Sequence, residues 1–134
     1  MQFIPTRIHG AQDYLLAALL LGSPWLLGAE PQSAFTVTLI GAGVVLAATS
    51  LLTNYEWGLV RRLAVPLHSA IDLVLGLALV SAPWVLGFHD EAWATHATLG
   101  AALVLGALTT HPRPFGLEHP AFVAARLGAA HGGR

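Results

Sequence analysis

The chain has 134 residues, of which 55% are hydrophobic and only 10% charged, with a net charge of -1 when the histidines are neutral. Its length suits one domain, but a water-soluble domain shows roughly a quarter of its residues charged, so composition points to a bilayer and away from a soluble surface. The absence of cysteine removes disulfides, thiolate ligands and Cys nucleophiles, and the charge balance lacks the basic stripe that nucleic acid requires.

Asp, Glu, Lys and Arg are missing from 14–29, 31–55, 73–89 and 92–112. Each gap holds most or all of the roughly 17–25 residues with which a helix crosses a bilayer. Four such runs in succession, the first without a small-x-small cleavage pattern after it, argue against a secretory signal peptide. The sequence therefore predicts an all-α polytopic membrane protein with four transmembrane helices.

In chain order, a short lead-in (1–10) precedes a first helix from about Arg7 to Leu27. Ala29 to Ser33 form a polar turn whose last residue is a candidate N-cap. A second helix covers about Ala34 to Thr53, with Gly41 and Gly43 thinning one face. Asn54 to Val65, with its aromatics and paired arginines, reads as an interfacial linker. Pro66 starts a third helix running to about Leu86, His89-Asp90-Glu91 make the second turn, and a fourth helix covers about Ala92 to Thr110, carrying Gly100 and Gly106. After His111, His-Pro steps break regular structure, and a short interfacial helix is expected within 119–130.

The first helix is written twice. HGAQDYLLAALLLGSPWLLG (9–28) returns as HSAIDLVLGLALVSAPWVLG (68–87) without a gap, and fourteen identities accumulate when 9–47 is laid on 68–106. The register pairs Gly41-Ala42 with Gly100-Ala101 and Val37 with His96. Internal repeats dictate architecture: here two tandem hairpins in the same orientation, repeat 1 at about 8–53, repeat 2 at about 67–110, and a tail from 111 to 134, all in a single membrane domain. All six arginines (Arg7, Arg61, Arg62, Arg113, Arg126, Arg134) fall before the first helix, in the linker or after the fourth, whereas the hairpin turns hold Glu30, Asp90 and Glu91. The positive-inside rule then puts both termini and the linker in the cytoplasm.

The residues able to carry chemistry are His9 and Asp13, repeated as His68 and Asp72. A spacing of four sets each pair on one helical face, and an ionisable residue at membrane depth faces a partner or a cavity. The preferred reading is structural: each Asp interacts with its helix N-terminus, bonds its own His, and is neutralised by Arg7 or Arg62. If the two helices pack together, the same four residues become a proton relay or the ligands of a divalent metal such as zinc. His111, His119 and His131 with Glu118 match no established metal spacing, His89 reads as exposed in its turn, and no motif for a nucleophile elbow, phosphate loop or zinc protease occurs. A haem is not expected, and the reading assigns no cofactor or catalytic residue. Glycines and alanines along the helices favour close helix contacts.

Pro24-Trp25 and Pro83-Trp84 sit toward the outer helix ends. Each proline frees a backbone carbonyl, which Ser23, or Ser81 beside Ala82, can partly satisfy, and each tryptophan suits the headgroup belt. Ser23-Pro24-Trp25, with the serine replaced by Ala82 in the second copy, resembles the SPW-repeat family of small bacterial membrane proteins over about residues 8–110. That resemblance implies a bacterial inner-membrane protein and lends no catalytic residue, since the family carries no established activity. The sequence reading is thus a non-enzymatic structural or accessory protein. Its partners are the bilayer and a second copy or a larger membrane complex, with no nucleic acid. The alternative is a small transporter or a metal- or proton-handling protein using the His/Asp pairs.

Overall fold

The computed structural model describes residues 4–90 and 93–110; the expected 119–130 helix and the tail histidines lie outside them. The described residues form four helices: α1 (Thr6–Leu26), α2 (Ala34–Leu52), α3 (Val65–Val85) and α4 (Trp93–Thr109). The helix starts follow local chemistry. Ser33 caps α2, its hydroxyl oxygen accepting from the Thr36 amide at 3.2 Å, and Pro66 occupies the first turn of α3, where a missing N–H costs nothing.

The Pro-Trp segments are the last turns of α1 and α3. Gly28 and Gly87 follow in left-handed conformation, with φ of 64° and 77°. Ala29 N donates to Pro24 O and Phe88 N to Pro83 O, both at 2.9 Å, which is the bond closing a Schellman ending. Pro24 also leaves the Leu20 carbonyl without its usual helical donor, and the Ser23 hydroxyl reaches that carbonyl at 3.4 Å. The second copy has no such rescue: Ser81 donates to Ala78 O instead.

Packing is tightest within each hairpin, α1 on α2 and α3 on α4. Gly76 and Gly100 face each other so closely that a Cβ on either would lie 2.6 Å from the other's carbonyl oxygen, and a Cβ on Gly43 would press on Leu20 and Leu21. Such backbone approach is how helices associate where hydrophobic burial does not separate inside from outside. Leu16, Leu20, Phe35, Leu39, Leu46, Leu79 and Leu103 fill the shared core. The two hairpins close on each other through short backbone bridges. Leu63, just before α3, pairs with Thr53 at the end of α2, and Ile4, just before α1, pairs with Thr110 at the end of α4.

Two expectations need correction. Four helices form, but only α2 and α3 are long and apolar enough to cross a membrane. The 21 residues of α1 suffice in length, but Arg7, His9, Gln12 and Asp13 dilute its apolar content; α4 is apolar but has 17 residues. The polytopic four-span fold is therefore replaced by a four-helix bundle with two candidate spans. The sequence register also fails beyond the first turn. Gly41 and Val37 are exposed, whereas Gly100 and His96 are buried. It is instead Gly43 and Leu46 of α2, with Thr53 just after it, that are buried as Gly100 and Leu103 of α4 and the following Thr110 are, a shift of two residues in the face turned inward.

In α1 and α3 the register does hold. His9 and His68, Asp13 and Asp72, Ala17 and Gly76, Leu20 and Leu79, and Pro24 and Pro83 are all buried. Outward, Leu15, Val44, Val74, Leu77 and Leu105 are exposed, an apolar exterior suited to lipid contact.

Candidate metal centre

Because His9 and Asp13 stand one turn apart on α1, and His68 and Asp72 one turn apart on α3, each helix presents an imidazole and a carboxylate side by side. The bundle turns both pairs to the same point. Relative exposure is 2% for His9 and 0% for Asp13, His68 and Asp72. Both Nε2 atoms face both Oδ2 atoms. His68 lies 3.0 Å from Asp13 and 3.1 Å from Asp72, and His9 lies 3.3 Å from Asp72 and 3.5 Å from Asp13. One ligand atom from each residue fits in a group no more than 4.8 Å across. The cluster is able to coordinate a metal.

Hydrogen bonds do not serve every close approach in this arrangement. A protonated Nε2 gives its hydrogen to one acceptor, so two imidazoles serve two of the four close approaches. Only His68 Nε2 to Asp13 Oδ2 has hydrogen-bond geometry. His9 Nδ1 and Nε2, His68 Nδ1, Asp13 Oδ1, and both Asp72 oxygens are buried without a hydrogen-bond partner. Each unsatisfied polar atom in a dry interior costs about 1–3 kcal/mol, and two of the six, His9 Nε2 and Asp72 Oδ2, belong to the facing Nε2 and Oδ2 set.

The favoured reading of the pairs as helix caps fails on position. Neither helix has an acidic residue in its first turn, so neither Asp answers a helix dipole. Among the described residues, no arginine forms an ion pair with Asp13 or Asp72; their charged contacts are the two histidines. The interhelical half of that reading survives, since each Asp is shared between its own helix and the other.

The linker seals the cluster. Tyr55 is buried, with its ring 5.8 Å from that of His68. Gly10, next to His9, makes room for it, because a Cβ there would overlap the Tyr55 ring and Trp57. Burial pushes the Tyr55 phenol above its ordinary range, which keeps it uncharged. Around it, the Thr6 hydroxyl donates to the Glu56 carboxylate at 2.9 Å, Trp57 Nε1 donates to Arg7 O at 2.9 Å, and the Tyr14 hydroxyl donates to Trp57 O at 3.0 Å. A groove of about 660 Å³ runs beside Arg7, Glu56 and Trp57, and another of about 410 Å³ along α2 and α3. None of the four cluster residues lines either one.

Sequence reasoning missed Tyr55 and Thr6. The available signal was a tyrosine in a linker that must return over the helix ends carrying His9 and His68. His96, the unmatched histidine, is not part of the cluster. It is fully buried near the hairpin turns, 2.7 Å from Thr38 Oγ1 and between Phe35 and Phe88 at centroid distances of 4.8 and 4.9 Å. His89 is half-exposed beside Asp90, as expected.

The fold and site thus define a small helical bundle built on a duplicated first helix with a buried imidazole–carboxylate cluster between the copies. The model of the SPW repeat domain matches residues 7–110, and the chain belongs to that family. No curated protein and no solved structure matches it.

Proposed function

We propose that this protein is a metal-binding membrane protein in which His9, Asp13, His68 and Asp72 hold one divalent cation that ties the two hairpins together. The observation that carries this reading is the convergence of two Nε2 and two Oδ2 atoms, each nitrogen 3.0–3.5 Å from each oxygen, with His9 Nε2 and Asp72 Oδ2 buried without a hydrogen-bond partner. It accounts for the His/Asp repeat better than a purely accessory role does, because an ion at that point engages His9 Nε2 and Asp72 Oδ2, which capping leaves without partners. Four protein ligands and complete burial favour a structural centre over a catalytic one, which keeps a position open. The work assigned to the ion is therefore cohesion of the two hairpins, and no reaction is assigned.

Location follows from the same frame. The apolar exterior and the two candidate spans support residence in a bilayer, and the family resemblance supports the bacterial inner membrane. Arg7, Arg61 and Arg62 lie at the cluster end and Glu30 and Asp90 at the turn end, which supports a cytoplasmic cluster end. Trp25, Trp84 and Trp93, all exposed at the turn end, suit the opposite headgroup belt. The test is elemental analysis of detergent-purified protein beside the H9A/H68A variant. About one ion per chain, lost in the variant, is expected. Metal-free wild-type protein, folded by circular dichroism, refutes the reading.

A further inference from the structure

Granting the metal reading above, we infer that the ion is a four-coordinate dication of the zinc class, and that the cluster discriminates against magnesium and calcium. Charge comes first. Two neutral imidazoles and two carboxylates carry -2, so a dication makes the buried cluster neutral, whereas a monovalent ion leaves net charge in a low-dielectric interior. Donor chemistry comes second. Imidazole nitrogen suits zinc and its transition-metal neighbours, while magnesium and calcium take oxygen shells of six or more ligands. Half of the donors here are nitrogen.

Geometry comes third. A tetrahedron drawn with the ~2.0–2.1 Å bonds of zinc to nitrogen and oxygen has edges of ~3.3 Å. The four nitrogen–oxygen separations, 3.0, 3.1, 3.3 and 3.5 Å, bracket that edge. No two ligand atoms are more than 4.8 Å apart, so closing on the ion shortens any separation by ~1.5 Å at most to reach the same edge. The independent observation is His9: its Nε2, on a side chain 2% exposed, is aimed at both carboxylates yet has no hydrogen-bond partner. A nitrogen so placed is available as a metal ligand.

The surroundings hold the two imidazoles in place. The Tyr55 ring packs beside His68, the His9 and His68 rings meet edge to face at 5.5 Å, and Gly106 approaches His9 Nδ1 closely enough that a Cβ there would lie 3.5 Å away. These contacts orient the imidazoles by packing, because neither Nδ1 has the hydrogen-bond partner that usually fixes a ligating histidine.

The experiment strips detergent-solubilised full-length protein with a chelator and loads it with Co²⁺. The expected result is one Co²⁺ per chain with the intense visible bands of a four-coordinate site, displaced by equimolar Zn²⁺ and retained in a hundredfold excess of Mg²⁺ or Ca²⁺. The D72N variant is expected to lose at least about a hundredfold in Zn²⁺ affinity, the upper range of what a second-shell change alone costs. Y55F, which keeps the ring, is expected to retain the bands. Weak six-coordinate bands, or displacement by Mg²⁺ or Ca²⁺, overturn this inference while leaving a metal site standing. Folded protein that takes up neither Co²⁺ nor Zn²⁺ overturns both.

Discussion

Each end of the bundle joins the two hairpins through buried histidine, and the two ends solve the problem differently. At the turn end, His96 of α4 meets the Thr38 hydroxyl of α2 at 2.7 Å and lies between two phenylalanines. One nitrogen finds a neutral partner, the ring is wrapped in aromatic surface, and no charge is left over. At the linker end, His9 and His68 meet carboxylates rather than a hydroxyl, and the four groups leave six buried atoms unpartnered. Buried histidine is ordinary when its partner is neutral. Two histidines between two carboxylates are able to coordinate a metal, and the difference between the ends lies in the partners.

If that contrast is right, removing a ligand is the most severe change. In D72N or H68A, metal is lost and the remaining buried charges are stranded, a cost of about 3–5 kcal/mol for breaking a buried pair in addition to the lost ion. A large fall in melting temperature in detergent, with no further fall on adding chelator, is expected. A chelator-sensitive melt in either variant places the metal elsewhere. Next in size is chelation of the wild-type protein. Mass action stabilises a folded state by about 4 kcal/mol at a thousand times the dissociation constant, so the melting temperature falls with chelator and recovers with Zn²⁺. A melt indifferent to both breaks the contrast.

The remaining changes spare the cluster and sharpen the comparison. G100A drives a methyl group into the Gly76 carbonyl, separating α3 from α4, and its expected cost of about 1–3 kcal/mol is that of overpacking. H96A loses one hydrogen bond and opens a cavity between the phenylalanines, for a few kcal/mol at most, and it retains full metal content. Metal loss in H96A makes the two ends one coupled site. S23A is the mildest. Its bond to Leu20 O is long at 3.4 Å and the second repeat already carries Ala82, so a change within about 0.5 kcal/mol is expected.

These contrasts also show what the chain reveals of itself. The helices, the Ser33 cap, the glycine-terminated Pro-Trp turns and the two His/Asp pairs follow from local spacing, and local spacing is written in sequence. The convergence of the pairs is a tertiary fact: i and i+4 fix a helical face but not which helix it meets. For that reason helix capping and a metal set are both compatible with the segments HGAQD and HSAID. The register of α4 was misread because the identities of Gly41-Ala42 with Gly100-Ala101 carry no information about which glycine touches a neighbour. Gly43, rather than Gly41, does so. Membrane depth was overread in α1, where the very residues that build the cluster dilute the apolar run. Tyr55 was hidden in a linker whose fold-back over the cluster depends on contacts with Thr6, Arg7 and Tyr14.

The most direct test of the central claim is anomalous diffraction from crystals of the zinc-loaded protein, collected on both sides of the zinc absorption edge. The account expects one strong peak per chain, within bonding distance of His9 Nε2, His68 Nε2 and an oxygen each of Asp13 and Asp72. A cluster with no anomalous peak, in crystals whose zinc sits only at exposed histidines such as His89, contradicts it.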